Sequence, residues 1–213
     1  YGNYGEGFRV PTTDELFAFA GLGSNPDLRP VTSRTYEAGV RLRPLGWLEM
    51  AAAYFLTDVR DEILFLPDPT GLTFGQNQNG PKSRRQGVEV SAMLRPHQQV
   101  DLQLSYSYTD ARYRGQAVLF GETINPGDRV ALVPLHRLYG RLAVRPLEGL
   151  ELSLDGTYVG RQVLINNETT KTSFRIQDYF VLNAQASYRW KALTAFVQGF
   201  NLTDAKYETY GIY

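Results

Sequence analysis

The sequence predicts an all-β fold, an antiparallel transmembrane β-barrel, and three observations predict it. One phase of eight alternating runs carries no charge. Each run lasts about 9–13 residues, near the 9–11 that a tilted strand needs to cross a bilayer. The connections are a few residues long on one side and far longer on the other, at 10–32, 66–83, 110–136 and 161–177, the asymmetry of outer-membrane barrels.

A phrase written four times organises the runs. An alternating run ends on Arg43-Pro44, Arg95-Pro96, Arg145-Pro146 or Arg189-Trp190, a tight turn follows, and a second alternating run begins. A supersecondary unit repeated every fifty residues or so, here a hairpin, accounts for such a period. Side chains along a strand point alternately to opposite faces. The first hairpin puts Tyr36, Ala38, Val40, Leu42, Leu48, Met50, Ala52, Tyr54 and Leu56 on one face. The second puts Val88, Val90, Ala92, Leu94, Val100, Leu102, Leu104, Tyr106 and Tyr108 there. The third gives Leu138, Gly140, Leu142, Val144, Leu150, Leu152, Leu154, Gly156 and Tyr158. The fourth gives Leu182, Ala184, Ala186, Tyr188, Trp190, Leu193, Ala195, Val197 and Gly199. The other phase is wet, with Glu37, Arg41, Glu49, Glu89, Asp101, Gln103, Arg141, Glu151, Asp155 and Gln185. A soluble sandwich would turn the apolar phase inward; run length and loop asymmetry favour turning it outward to lipid, with the polar phase in the lumen.

The aromatics fit this arrangement. Tyr36, Tyr54, Tyr106, Tyr108, Tyr158 and Tyr179 are expected at the outer membrane interface, and Trp47, Tyr188 and Trp190 at the inner one, where amphipathic rings concentrate. The Pro after three of the arginines is expected to end its strand.

Composition excludes other classes. The 213 residues carry 22 basic and 22 acidic side chains, a net charge of zero that argues against nucleic acid. There is no Cys, hence no thiolate metal site or cysteine nucleophile. The negative mean hydropathy is uninformative, because alternation cancels in a barrel. His97 and His136 share no acidic cluster, and Asp58, Asp61 and Glu62 lack calcium-loop spacing. No metal, no cofactor and no catalytic site is expected.

Several segments resemble the barrel of TonB-dependent outer-membrane receptors. They are Gly7-Phe8-Arg9-Val10-Pro11-Thr12 with Glu15-Leu16, Asn25-Pro26-Asp27-Leu28-Arg29-Pro30 before Ser33-Arg34-Thr35-Tyr36-Glu37-Ala38-Gly39, and Ser83-Arg84-Arg85-Gln86-Gly87-Val88-Glu89. Tyr158-Val159-Gly160-Arg161-Gln162 and Asn201-Leu202-Thr203-Asp204-Ala205-Lys206-Tyr207 complete the set. Val31 replaces the family's usual Glu. The resemblance implies that residues 1–213 are part of one 22-stranded barrel domain, roughly strands 13 to 21, with plug and last strand absent. It further implies outer-membrane lipid, the protein's own plug, the TonB energy-coupling complex and a small-molecule chelate, most often a ferric siderophore, as partners. A passive or structural barrel, or a scaffold in an assembly, is the alternative. Loops on a rigid barrel are where a ligand would bind, so Phe74, Asn77, Arg112, Tyr113, Phe120, Arg129, Arg161, Phe174 and Arg175 are the candidate contacts.

The phase assignment makes a quantitative prediction. Leu104→Arg places a charge near the bilayer midplane and should destabilise the barrel by about 2–4 kcal/mol in a bilayer refolding titration. A neutral result would turn the barrel inside out.

Overall fold

A computed structural model describes residues 1–17, 22–66, 70, 72–119, 122–165, 167–169 and 174–212. In chain order the elements are β1 (Gly2–Arg9), helix α1 (Thr13–Leu16), β2 (Val31–Leu45), β3 (Leu48–Arg60), β4 (Ile63–Leu66), β5 (Gln76–Asn79), β6 (Ser83–His97) and β7 (Val100–Tyr113). Then come β8 (Ala117–Leu119), β9 (Glu122–Ile124), β10 (His136–Leu147), β11 (Leu150–Val159), β12 (Tyr179–Trp190) and β13 (Leu193–Gly199). Nine of the strands form one antiparallel sheet in the order β1-β2-β3-β6-β7-β10-β11-β12-β13. Among the described residues no helix is long and apolar enough to cross a membrane; the chain crosses with strands.

The predicted phases hold in register. Leu42 faces Met50, Met50 faces Ala92, Ala92 faces Leu104, Leu104 faces Gly140, Gly140 faces Gly156 and Gly156 faces Leu182. That is one uncharged row across β2 to β12. Its large members stay open to the surroundings, Leu42 at 56% and Leu104 at 41% exposed. A one-residue slip would exchange every lipid-facing and lumen-facing side chain, so the apolar phase itself specifies the register.

Three features differ from the sequence expectation. β2 and β6 run to 15 residues and β7 to 14, longer than a bilayer needs, so their outer ends rise above the apolar band. The long connections are partly ordered: β4 pairs with β5, and β8 with β9. Pro44, Pro96 and Pro146 do not end their strands. Each lies where the register shifts, between Leu42 and Leu45, Leu94 and His97, or Val144 and Leu147. A bulge leaves one residue out of the ladder, so a missing N–H goes unpaired there at little cost.

The repeated arginine has two structural partners. Its backbone N–H donates to the turn of the preceding hairpin: Arg95 to the Trp47 carbonyl at 2.7 Å, Arg145 to Gln99 at 2.8 Å and Arg189 to Gly149 at 2.8 Å. In the first three repeats its side chain pairs across the bulge with an acid six residues on: Arg43 with Glu49 at 2.8 Å, Arg95 with Asp101 at 3.2 Å and Arg145 with Glu151 at 3.0 Å. Arg145 also bonds Asp101 at 2.7 Å, and Arg141 bonds Glu151 at 3.3 Å, so the second and third hairpins share one lumen-side ion network. Ala143, opposite Asp101 and Ser153 in the register, is fully buried. The fourth repeat has Ala195 where the acid would be and closes over two residues, with Trp190 facing Leu193. There Lys191 sits 5.0 Å from the Trp190 ring centre, an amphipathic pair suited to the inner membrane interface.

The expected aromatic girdle needs one change. Tyr179 faces Val159 in the lumen phase and stacks on Tyr207 at 4.4 Å; Phe180, opposite Tyr158, takes the lipid-facing position.

Gly149 tests the lacing of the turns. Its φ is +82°, and a Cβ there would collide with the Arg189 carbonyl oxygen. Gly149→Ala combines left-handed backbone strain of about 1–2 kcal/mol with that collision. A urea titration of the folded barrel should show a loss of at least that size, and the matched turn substitution Gly46→Ala, with nothing within 4 Å, should show less.

Candidate functional site

The outer connections are braced before any ligand is considered. In α1 the Thr12 side chain accepts from the Glu15 N–H at 3.3 Å and the Thr12 N–H donates to Glu15 Oε2 at 2.8 Å, a capping box. The same carboxylate pairs with Arg9 at 2.8 Å, and that guanidinium holds the Glu15 carboxyl below its ordinary range. Asparagines tie this segment to the β4–β5 hairpin. Asn77 Nδ2 donates to the Glu15 carbonyl at 3.1 Å, and Asn25 Nδ2 donates to the Asn77 carbonyl at 2.9 Å. Asn79 accepts from the Arg29 N–H and donates to the Arg29 and Asp61 carbonyls, each at 2.9 Å. An Arg29–Asp61 ion pair at 2.6 Å closes the joint.

The next connections interlock through backbone bonds. The 127–130 stretch folds back along β7, with the Tyr113 N–H on the Asp128 carbonyl at 2.9 Å and the Val130 N–H on Ala111 at 3.0 Å. Leu132 donates to Val163 at 2.9 Å, Gln162 and Ile176 exchange bonds at 3.0 and 3.1 Å, and Ile165 donates to Gly211 at 3.1 Å. Leu132 adopts a φ of +59°, a conformation that costs a non-glycine residue of order 1–3 kcal/mol and is held by its surroundings.

These braces frame a cavity of about 670 Å³. Its wall comes from four connections: Glu62, Ile63, Leu64 and Phe65 after β3, Val130, Ala131 and Leu132 after β7, Ile165 and Glu168 after β11, and Tyr210 and Ile212 after β13, with Tyr113 at its base. Tyr113 is 2% exposed and packs with Ala111, Ile124 and Val130. Among the described residues the charged members of the wall are two acids. Glu62 is bonded by Arg85 at 2.7 Å and by the Ser83 hydroxyl at 3.2 Å. The Glu168 carboxylate lies in a buried residue. The chamber is apolar with a few fixed polar groups, the general character of small-molecule sites.

A family model described as "TonB dependent receptor-like, beta-barrel" matches residues 1–202. The chain belongs to the TonB-dependent receptor family. The ferrichrome outer membrane transporter/phage receptor of Escherichia coli K12 is 30% identical over 167 residues, 75% of this chain and 20% of that protein. The vitamin B12 transporter BtuB of Vibrio vulnificus YJ016 is 23% identical over 96% of this chain and 30% of its own length. Among solved structures, the copper transporter OprC superposes with a TM-score of 0.74 at 18% identity over 97% of this chain and 31% of that one. The ferric-catecholate import receptor Fiu from E. coli K12 gives 0.70 at 21% identity, covering 98% and 29%. The chain thus spans about a fifth to a third of the relatives it matches. As a TonB-dependent receptor barrel it resides in the outer membrane, in a family of transporters and receptors.

The nine candidate contacts separate within this receptor frame. Tyr113 lines the cavity. Asn77 braces the hairpin and does not face it. Arg112 lies in the lipid-facing phase opposite Arg84, its guanidinium on Asp110 at 2.9 Å and on the Gly127 carbonyl at 2.8 Å. Arg129 bridges Arg112 through its backbone and is absent from the cavity wall. Arg161 pairs with Asp178 at 3.0 Å, which holds that carboxyl below its ordinary range. Phe74 and Phe174 point outward, 81% and 61% exposed, and Arg175 donates to the Phe174 carbonyl. Phe120 lies outside the described residues. The four candidate arginines are therefore not among the described residues that line the cavity. The residues that do converge include Ile63-Leu64-Phe65, an apolar triplet just ahead of the long connection expected at 66–83, which was the available signal.

The Arg9–Glu15 clasp sets a pH dependence. Its folded pKa is lowered from 4.5, so its contribution is complete above that value and is lost as pH falls through the folded pKa. A carbon-13 carboxyl titration should place the Glu15 midpoint below 4.5, and Arg9→Gln should move it back up. A midpoint insensitive to Arg9→Gln would rule the clasp out.

Proposed function

We propose that the intact receptor, with residues 1–213 as part of a single barrel domain, binds a ferric siderophore at its outer face. It then imports the complex with energy drawn by the TonB complex through the receptor's plug. One observation carries the substrate class: the interlocked chamber above the barrel wall is apolar, and among the described residues its charged wall members are acids. A chelate that hides iron inside a neutral, carbon-rich shell suits such a wall. A trianionic complex would be desolvated there against carboxylates, with the nearby Arg85 already taken by Glu62, an expensive transfer. The relative named as a ferrichrome transporter supports the same reading.

The test uses the full-length receptor in cells lacking other siderophore receptors. A neutral ferric trihydroxamate should be taken up in the presence of TonB and not in its absence, and a ferric tris-catecholate should be taken up poorly. Leu64→Arg puts an unpaired charge in the chamber and should weaken trihydroxamate binding at least tenfold. Uptake independent of TonB, or an equal preference for the tris-catecholate, would refute the proposal.

A further inference from the structure

Tyr113 ends β7 in the lumen phase, one residue past Arg112, whose side chain turns outward onto Asp110. It stands opposite Ser83 in the register and forms the base of the chamber. Its backbone is fixed on both sides: the N–H donates to the Asp128 carbonyl, and the carbonyl accepts from the Gly127 N–H, each at 2.9 Å. Its ring packs with Ala111, Ile124 and Val130, and the residue is 2% exposed. The position of the ring is therefore set before any ligand arrives.

The packing leaves the Tyr113 hydroxyl unused. Among the described residues no group hydrogen-bonds it. Its charged neighbours are Glu168, Glu62 and Arg85. The first two belong to the chamber wall, so the hydroxyl end of the ring is directed into the chamber. Glu62 is already engaged, its Oε1 by Arg85 at 2.7 Å and its Oε2 by the Ser83 hydroxyl at 3.2 Å. A buried polar group without a partner is rare in a native fold and calls for a reason. Here it lies at the floor of a cavity of about 670 Å³.

The chemistry of that hydroxyl is a donor's. Tyr113 lies five residues beyond Tyr108 of the outer girdle, above the bilayer, and burial beside two carboxylates favours the neutral phenol. Its O–H has already left water when the receptor folds. An acceptor brought by a ligand gains the bond without stripping this donor of water again, and the packed ring needs no further ordering. A chelate built on hydroxamates supplies such acceptors in its hydroxamate and amide oxygens.

We propose that the Tyr113 hydroxyl is a specificity-determining donor of this chamber, giving its hydrogen bond to a carbonyl or hydroxamate oxygen of the incoming chelate. The assignment rests on the chamber being the siderophore site and narrows what that site selects. A chelate that turns an oxygen acceptor to the floor completes a bond the fold leaves open. One that turns hydrocarbon to the floor leaves the donor unpaired. A site built to hydrogen-bond its ligand rejects analogues lacking the matching group for the same reason.

The test uses the full-length receptor in detergent, with a neutral ferric trihydroxamate as probe. Calorimetry reads binding, and a urea titration without ligand reads stability. Tyr113→Phe keeps the ring and removes the hydroxyl. It should weaken binding about tenfold and leave the unfolding midpoint unchanged or raised, because an unpaired buried hydroxyl does nothing to hold the fold. Tyr113→Leu, which also loses the ring packing, should lower both, and Tyr108→Phe in the girdle should leave binding unchanged. Wild-type affinity in Tyr113→Phe overturns this inference and leaves the chamber standing as the siderophore site. A lowered midpoint in Tyr113→Phe reveals a structural hydroxyl and also overturns it. A wild-type receptor that binds no trihydroxamate overturns the siderophore site itself, and this inference with it.

Discussion

Everything in this structure depends on satisfying backbone polar groups where there is no water. In hydrocarbon an unpaired N–H or C=O costs several kcal/mol, so spanning strands must be paired along their length. Nine strands achieve this by pairing antiparallel with their neighbours in the order in which the sheet strands follow along the chain. Antiparallel pairing in turn forces strict alternation between lipid and lumen, and the uncharged row from Leu42 to Leu182 is its visible result.

The same constraint explains the inner edge. Hairpin turns lie where the ladder ends and where donors risk going unpaired. The second, third and fourth repeats solve this locally by giving the arginine N–H to the previous turn, and in the first three the register shift accommodates a proline that has no N–H to offer. The lumen ion pairs are half-exposed and individually contribute little. Their value lies in linking hairpins: Asp101 and Glu151 each hold arginines from two positions. At the outer edge the strands overrun the bilayer, and freed from hydrocarbon they carry charge on both faces.

The outer connections obey different rules. With water available, their backbone can be irregular, and order comes from side-chain amides and short bridges. Asn25, Asn77 and Asn79 act as backbone substitutes that knit 11–30 to β5. The chamber exists because four such connections lean on one another, each contributing a few apolar residues that would be unremarkable alone.

What the sequence determined by itself is the transmembrane part. Phase, strand count, turn positions and family resemblance all follow from period two and from spacing, because bilayer thickness and backbone pairing leave one way to write such a strand. Even there Tyr179 was misplaced, since one residue of phase separates it from Phe180 and alternation is ambiguous where a strand begins. The chamber was decided only by tertiary structure. Arg112 looked like a ligand contact until the register turned it outward onto Asp110, and Ile63, Leu64, Phe65 and Tyr210 converge from connections far apart in the chain. Irregular loops have no periodicity to read, so which side chains meet depends on contacts that form only when the barrel wall holds their ends in place.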